Sequence, residues 1–360
     1  MFILYVFILC ILTLYSYALV DPNLTLINNS YWVTFREVVI QLGYYQRDTS
    51  WFIYLFLIIS LFIFSYLFIR KYNTVDPFKI ALIVSGILLF SYPFLSHDFF
   101  NYIFDAKIFT YYHQNPYLKT PLDFPKDEWL RFMHWVHRSY PYGPTFLPLT
   151  IIPSFFAVGK FILNYVFFKI LFALSYLLGV FYLQKIDKKS AFIFATHPLV
   201  IVEGLVNAHN DLIGVSLAIA GFYYLSQKKE WVGRGLMLMS GGIKYITIPL
   251  VIWQKKKTHW LNYAVISVVI GMIIYLSLFL EIQTWYFLTL FVFLPVYRSA
   301  IDKIQIFLFG LLMSYYPYIR LGGWDTDEKM ALKHWIIISA VILNIAYLLF
   351  YKRFYSLFKK

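Results

Sequence analysis

Charge is scarce in this sequence, and acidic charge is the scarcest. Of 360 residues only 14% are charged, 18 of them acidic against 31 basic, where an ordinary soluble domain carries roughly 25% charged residues. Too little polar surface is available to coat a water-soluble globule. A single cysteine, Cys10, excludes an intrachain disulfide. No Walker loop, dinucleotide fingerprint, zinc signature or haem motif is present, which argues against nucleotide and redox-cofactor enzymes. No repeat at a fixed period is found, so a solenoid is not expected. The first apolar run, 1–20, has neither a basic leader nor a small-residue cleavage site. It is expected to be a retained first helix.

What is abundant is apolar. Hydrophobic residues make up 61% of the chain and aromatic ones 22%. Runs near or above the roughly 18 residues needed to cross a bilayer recur along it. The chain is therefore expected to be an all-α, polytopic membrane bundle of about ten to twelve membrane segments, a single integral domain over 1–360. Its net charge of +13 is not a nucleic-acid footprint, because the basic residues gather at helix ends. There they set orientation and meet anionic headgroups.

Helices are expected at 2–20, 51–69, 78–95, 162–183, 190–207, 210–226, 259–280, 284–298, 303–319 and 331–350, the last before the basic tail Lys352-Arg353 and Lys359-Lys360. The short 144–158, broken by Pro148 and Pro153, is expected to enter the membrane partway. Segment 231–253, with Gly241-Gly242 and Pro249, is expected as a hairpin or a kinked pair of half helices. Arg70-Lys71 and Lys255 to Lys257 mark the cytoplasmic side. The 96–143 loop then lies outside, followed by a central bundle over 144–257 and C-terminal helices over 258–360.

That loop carries most of the candidate chemistry. At 100° per residue, Asp98, Asn101, Tyr102, Asp105 and Tyr112 share one stripe of a helix at 98–112, with Phe99, Phe100, Ile103, Phe104 and Tyr111 opposite. Lys107 falls on the apolar side, its stem buried and its ammonium snorkelling out. Too short to span, this helix is expected on the membrane surface with both carboxylates facing water. Asp98 and Asp105 are the catalytic candidates, although Asp98 or Ser96 could simply cap the helix. A second amphipathic segment, 126–138, brings His134 and His137 onto one face, with Arg138 as a phosphate fork. Two histidines alone make a weak metal site, so no metal ligands are assigned and no cofactor is expected, a divalent ion being left open.

Glu203, Asn207, His209 and Asp211 cluster where one helix ends and the next begins. Glu203 lies about a turn inside an apolar helix and needs a partner or water. Lys244 is equally costly there, about 2.5–3.5 kcal/mol on insertion scales. It either snorkels to the cytoplasm or serves Glu203 or a substrate phosphate. An intramembrane Glu/Lys pair also fits a secondary transporter. The long loop and the lack of repeat symmetry weigh against that reading.

Ser96-His97-Asp98, Tyr102, Asp105, Asn115-Pro116-Tyr117 and the YPYGP turn at 140–144 resemble the first outer loop of the GT-C membrane glycosyltransferases. The likeness is to the branch taking mannose or a related hexose from a polyprenyl-phosphate carrier. Glu203, the His209-x-Asp211 pair and Lys244 resemble its later segment, and the likeness covers 80–257. Ala106 stands where that family often has glycine. The resemblance implies inverting transfer of a hexose to a glycan or glycolipid acceptor, on the outer face of the plasma membrane. Asp98 would be the general base, with His97, Tyr102, His134, His137, Arg138, Glu203, His209, Asp211 and Lys244 around the substrates. A lipid-linked donor, an acceptor and membrane lipids are the partners implied, with no nucleic acid.

Overall fold

The computed structural model describes the backbone of residues 1–357 and the side chains of residues 1–350. The side chains of Lys352 and Arg353, and all of Lys359 and Lys360, lie outside these. The described chain is helical, without strands. Helices α1 (Phe2–Tyr15), α2 (Ser30–Ile40), α3 (Arg47–Arg70) and α4 (Pro77–Leu88) lead into α5 (Asp98–Thr110). Next come α6 (Phe146–Phe156), α7 (Phe161–Ile186), α8 (Lys188–Thr196), α9 (Asp211–Ser226) and α10 (Glu230–Gly241). The last set is α11 (Trp260–Leu276), α12 (Leu294–Lys303), α13 (Gln305–Met313), α14 (Tyr316–Leu321) and α15 (Asp327–Leu357). Among the described residues six helical stretches are long and apolar enough to cross a membrane, seven if the bent pair starting at α8 is one span. Three shorter apolar helices, α4, α6 and α9, join them. Full-length candidates are thus fewer than the ten to twelve membrane segments expected from sequence, and α6, at 11 residues, is too short to cross a bilayer by itself.

Breaks fall where proline or glycine dictates. The expected 78–95 helix stops at Leu88, because Pro93 has no N–H to give and restrains Tyr92 before it. Residues 89–97 run as an irregular segment. At His197-Pro198 the expected 190–207 helix bends by 64°, and Val200–Val206 continues as a wide π-type turn. Of the two forms expected for 231–253 the hairpin is the one found: α10 stops at Gly241, and a 3-10 stretch, Tyr245–Ile252, runs back along it, so that Arg234 donates to Val251 O and Lys255 pairs with Glu230 at 2.6 Å. The polar 21–50 stretch contains a helix not foreseen, α2, capped by Asn29, which accepts from the Tyr31 N–H at 2.9 Å.

The 96–143 loop departs most from expectation. Helix α5 is not a surface helix. Residues Phe99 to Ile108 are all buried, polar stripe included. Phe99 meets Tyr165, Phe168 and Phe172 of α7, and Tyr102 meets Phe172 as well as Tyr142 and Phe146. The chain from 111 to 142 wraps the face that was assigned to water. Lys107 does not snorkel; it pairs with Asp127 and lies 3.5 Å from the Trp129 ring centre. Nor is 126–138 a helix beyond a 3-10 turn, Glu128–Phe132. Its carbonyls serve tertiary partners instead: Trp135 O accepts from Asn101 Nδ2 at 3.0 Å, and Val136 O from Leu122 N at 3.2 Å.

The YPYGP turn docks on the α10 break. The Thr145 N–H donates to Gly242 O at 2.9 Å, and a Cβ on Gly143 would sit 2.1 Å from that oxygen. Backbone meets backbone there, so no side chain can yield. Gly143→Ala should push the loop off the break at a cost of about 1–3 kcal/mol, lowering the melting temperature in detergent. Gly235→Ala, facing open space, should not.

Candidate active site

The irregular segment after α4 and the bent helix after α8 are held together before any catalytic group is placed. Lys169, inside α7, donates to Ser91 Oγ at 2.9 Å, Leu205 O at 2.7 Å and Val206 O at 3.1 Å. Leu95 N donates to Asn207 Oδ1 at 3.2 Å, and Asn207 Nδ2 donates to Glu203 Oε2 at 3.1 Å. Glu203 thus finds its partner one turn along, as its spacing from Asn207 suggests. These bonds bring Ser96-His97-Asp98 against Glu203 to Asp211.

Asp98 opens α5 without capping it; the Ser96 hydroxyl accepts from the Asp98 N–H at 3.2 Å. Its carboxylate stands at the centre of the cluster. Arg138 Nη2 lies 3.6 Å from one oxygen and His209 Nδ1 lies 3.8 Å from the other. His209 Nε2 faces Glu203 Oε2 at 3.4 Å, and Trp285 stacks on the imidazole at 4.0 Å between ring centres. Burial raises the Asp98 carboxyl above its usual range, with Arg138 and Lys244 pulling the other way. Lys244 turns inward to a carboxylate. Its Nζ lies 3.0 Å from Asp211 Oδ2, so the lysine is partnered by Asp211 and not by Glu203 as one reading expected. Helices α9 and α10 cross where Gly214 O accepts from Ser240 Oγ at 2.7 Å, and that crossing sets the pairing.

Asp98, Arg138 and Lys244 open into one cavity of about 820 Å³. His97 and His134 line its rim, their rings stacked at 3.5 Å, and burial first pushes His97 down to about 3. The far wall comes from the C-terminal part: Glu281, Trp285, Tyr286, Tyr315, Trp324 and Lys333. Nothing in the sequence after 260 had been singled out. Glu203, His209 and Asp211 form a buried layer beneath this wall.

A family model described as alpha-(1->6)-mannopyranosyltransferase, N-terminal domain, matches residues 38–255. That is more than half of the chain and contains Asp98, Arg138, Glu203, His209, Asp211 and Lys244. The chain belongs to this mannosyltransferase family. No curated protein and no solved structure matches it significantly. The family makes the protein a glycosyltransferase, in keeping with the GT-C resemblance, and the transporter reading loses its ground.

Besides that buried layer, three more expected site residues do not line the mannosyltransferase's cavity. His137 is exposed and turns to Trp135, since no helix aligns it with His134. Tyr102 packs beneath Tyr142. Asp105 is buried, with nothing to hold its charge but a distant Arg138, and burial carries its carboxyl up to about 8. It is no water-facing carboxylate; burial favours its neutral acid form. Lys169 went unnoticed, although the cost of a lysine within an apolar helix flags it as plainly as Lys244.

The Asp105 shift has a sign. Between the ordinary 3.8 and about 8 the folded protein keeps a proton that the unfolded chain releases. Stability from this group is therefore lost as pH rises through that window. Asp105→Asn mimics the neutral acid and should keep activity within about threefold. Its melting temperature relative to wild type should rise from about pH 5 to about pH 8.

Proposed function

We propose that this mannosyltransferase takes mannose from a polyprenyl-phosphate carrier and transfers it, with inversion, to a hydroxyl of a glycan or glycolipid. The reaction runs on the outer face of the plasma membrane. The observation carrying this reading is one carboxylate, Asp98, facing a large cavity between two cations, Arg138 and Lys244. Asp98 takes the acceptor proton as the oxygen attacks the anomeric carbon, and the bond from that carbon to the phosphate oxygen breaks with its electron pair on the phosphate. The leaving group is already an anion. It needs cations more than an acid, and Lys244 and Arg138 supply them.

A lipid carrier is supported by what adjoins the cavity. An apolar groove of about 550 Å³, lined by Ile246, Val268, Met272, Tyr275 and Leu276, shares Lys244, Tyr245 and Tyr286 with it. A phosphate at Lys244 would leave its isoprenoid chain in that groove, among α10, α11 and the lipid beyond. The basic clusters Arg70-Lys71 and Lys255 to Lys257 orient the loop 96–143 away from the cytoplasm.

The purified protein, given polyprenyl-phosphate mannose and a mannoside acceptor, should release free polyprenyl phosphate. Asp98→Asn should cut kcat about 10²- to 10⁴-fold with the fold intact; a variant keeping over half its activity would remove Asp98 as base. Lys244→Met keeps the stem and loses the charge. It should raise KM for the lipid donor before it lowers kcat, and Lys244 would have no phosphate role if KM stayed unchanged while transfer continued.

A further inference from the structure

A second set of polar groups stands at the cavity rim and has no part in the transfer just described. Asp21 comes from the end of the first apolar segment, His97 from the residue before α5, and His134 from the outer loop. One donor atom of each lies within 4.8 Å of the other two. His134 Nε2 is 3.9 Å from Asp21 Oδ2, and its ring stacks on His97 at 3.5 Å and 14°. These separations are too long for hydrogen bonds, so the three groups face one another without sharing a proton. The rest of Asp21 is fixed: Oδ1 accepts from Asn23 N at 2.8 Å, and its own N–H donates to the Tyr92 hydroxyl at 3.2 Å. Only Oδ2 is left, and it points at the histidines.

We propose that Asp21, His97 and His134 form a binding site for one divalent cation of the zinc class. Two imidazoles and a carboxylate are a donor set that zinc takes with a fourth position left open. At bond lengths of about 2.0–2.1 Å, tetrahedral donors lie about 3.4 Å apart, so the cluster must tighten by about an ångström. His134 supplies that movement. Its side chain is 50% exposed, and a rotation turns its ring out of the stack, so that both imidazole lone pairs converge. His97 and His134 line the cavity, so the open position faces it. The ion would join three segments far apart in sequence and fix the residue preceding Asp98. Its role is to position that base, and the site does not depend on which donor or acceptor is used. Sequence pairing of His134 with His137 pointed to the wrong partner; the third ligand comes from Asp21, in a different part of the chain.

Untagged full-length protein, purified in detergent and stripped by a chelator, should take up one zinc per chain by elemental analysis. Zinc should also raise its melting temperature, and Co²⁺ should give the visible absorption of a four-coordinate ion. Asp21→Asn, which keeps the side-chain shape, and His134→Ala, at an exposed side chain, should each weaken zinc binding at least about tenfold. Both should abolish the thermal shift, whereas His137→Ala should change neither. Failure of the wild type to bind stoichiometric zinc would overturn the assignment. So would equal uptake by wild type, Asp21→Asn and His134→Ala.

Discussion

An ammonium buried among apolar helices is tolerated only if each of its three hydrogens finds an acceptor. Lys169 meets that demand with one hydroxyl from the segment after α4 and two carbonyls from the bent helix after α8. The carbonyls are available because the helix ends at Val206, which leaves its last C=O groups without an intrahelical amide partner. Serving this one charge fixes the relative height of two irregular stretches. Asp98 lies at the end of one and His209 at the end of the other, so their approach follows from a residue that touches neither.

The polar groups gathered there are far from relaxed. Both ring nitrogens of His209, both ends of the Asn210 amide and Glu203 Oε1 are buried without a hydrogen-bond partner among the described residues. Each such group costs about 1–3 kcal/mol in desolvation, and the rest of the bundle must offset that. The layers of Phe and Tyr around α5 supply the compensating burial: Phe99, Phe100, Tyr102 and Phe104 are all at most 2% exposed.

Apolar runs made the class and most helices legible, and the branch of enzyme could be read from the loop motif. Less legible was anything that depends on which side of a helix meets protein. The stripe of Asp98, Tyr102 and Asp105 has the period of a lipid–water helix, but the same period arises when a loop of aromatic residues covers the polar side. Only the tertiary fold distinguishes them. Lys244 and Asp211 were each visible as costly charges, yet their pairing needs the crossing of α9 and α10. Pro93 and Pro198 were readable as breaks and were passed over because hydropathy continues through both. Asp21 gave no signal, since a lone acid after an apolar run is ordinary until its distant neighbours are known.

The cavity has two parents within one chain. Asp98, Arg138 and Lys244 lie before residue 255, inside the stretch matched by the family model. The opposite wall, from Glu281 to Lys333, lies beyond it. Reactivity and shape are thereby written in separable text. Substitutions in the C-terminal wall can reshape the cavity while leaving Asp98, Arg138 and Lys244 in their places, so what the cavity admits can drift without any change to those three groups.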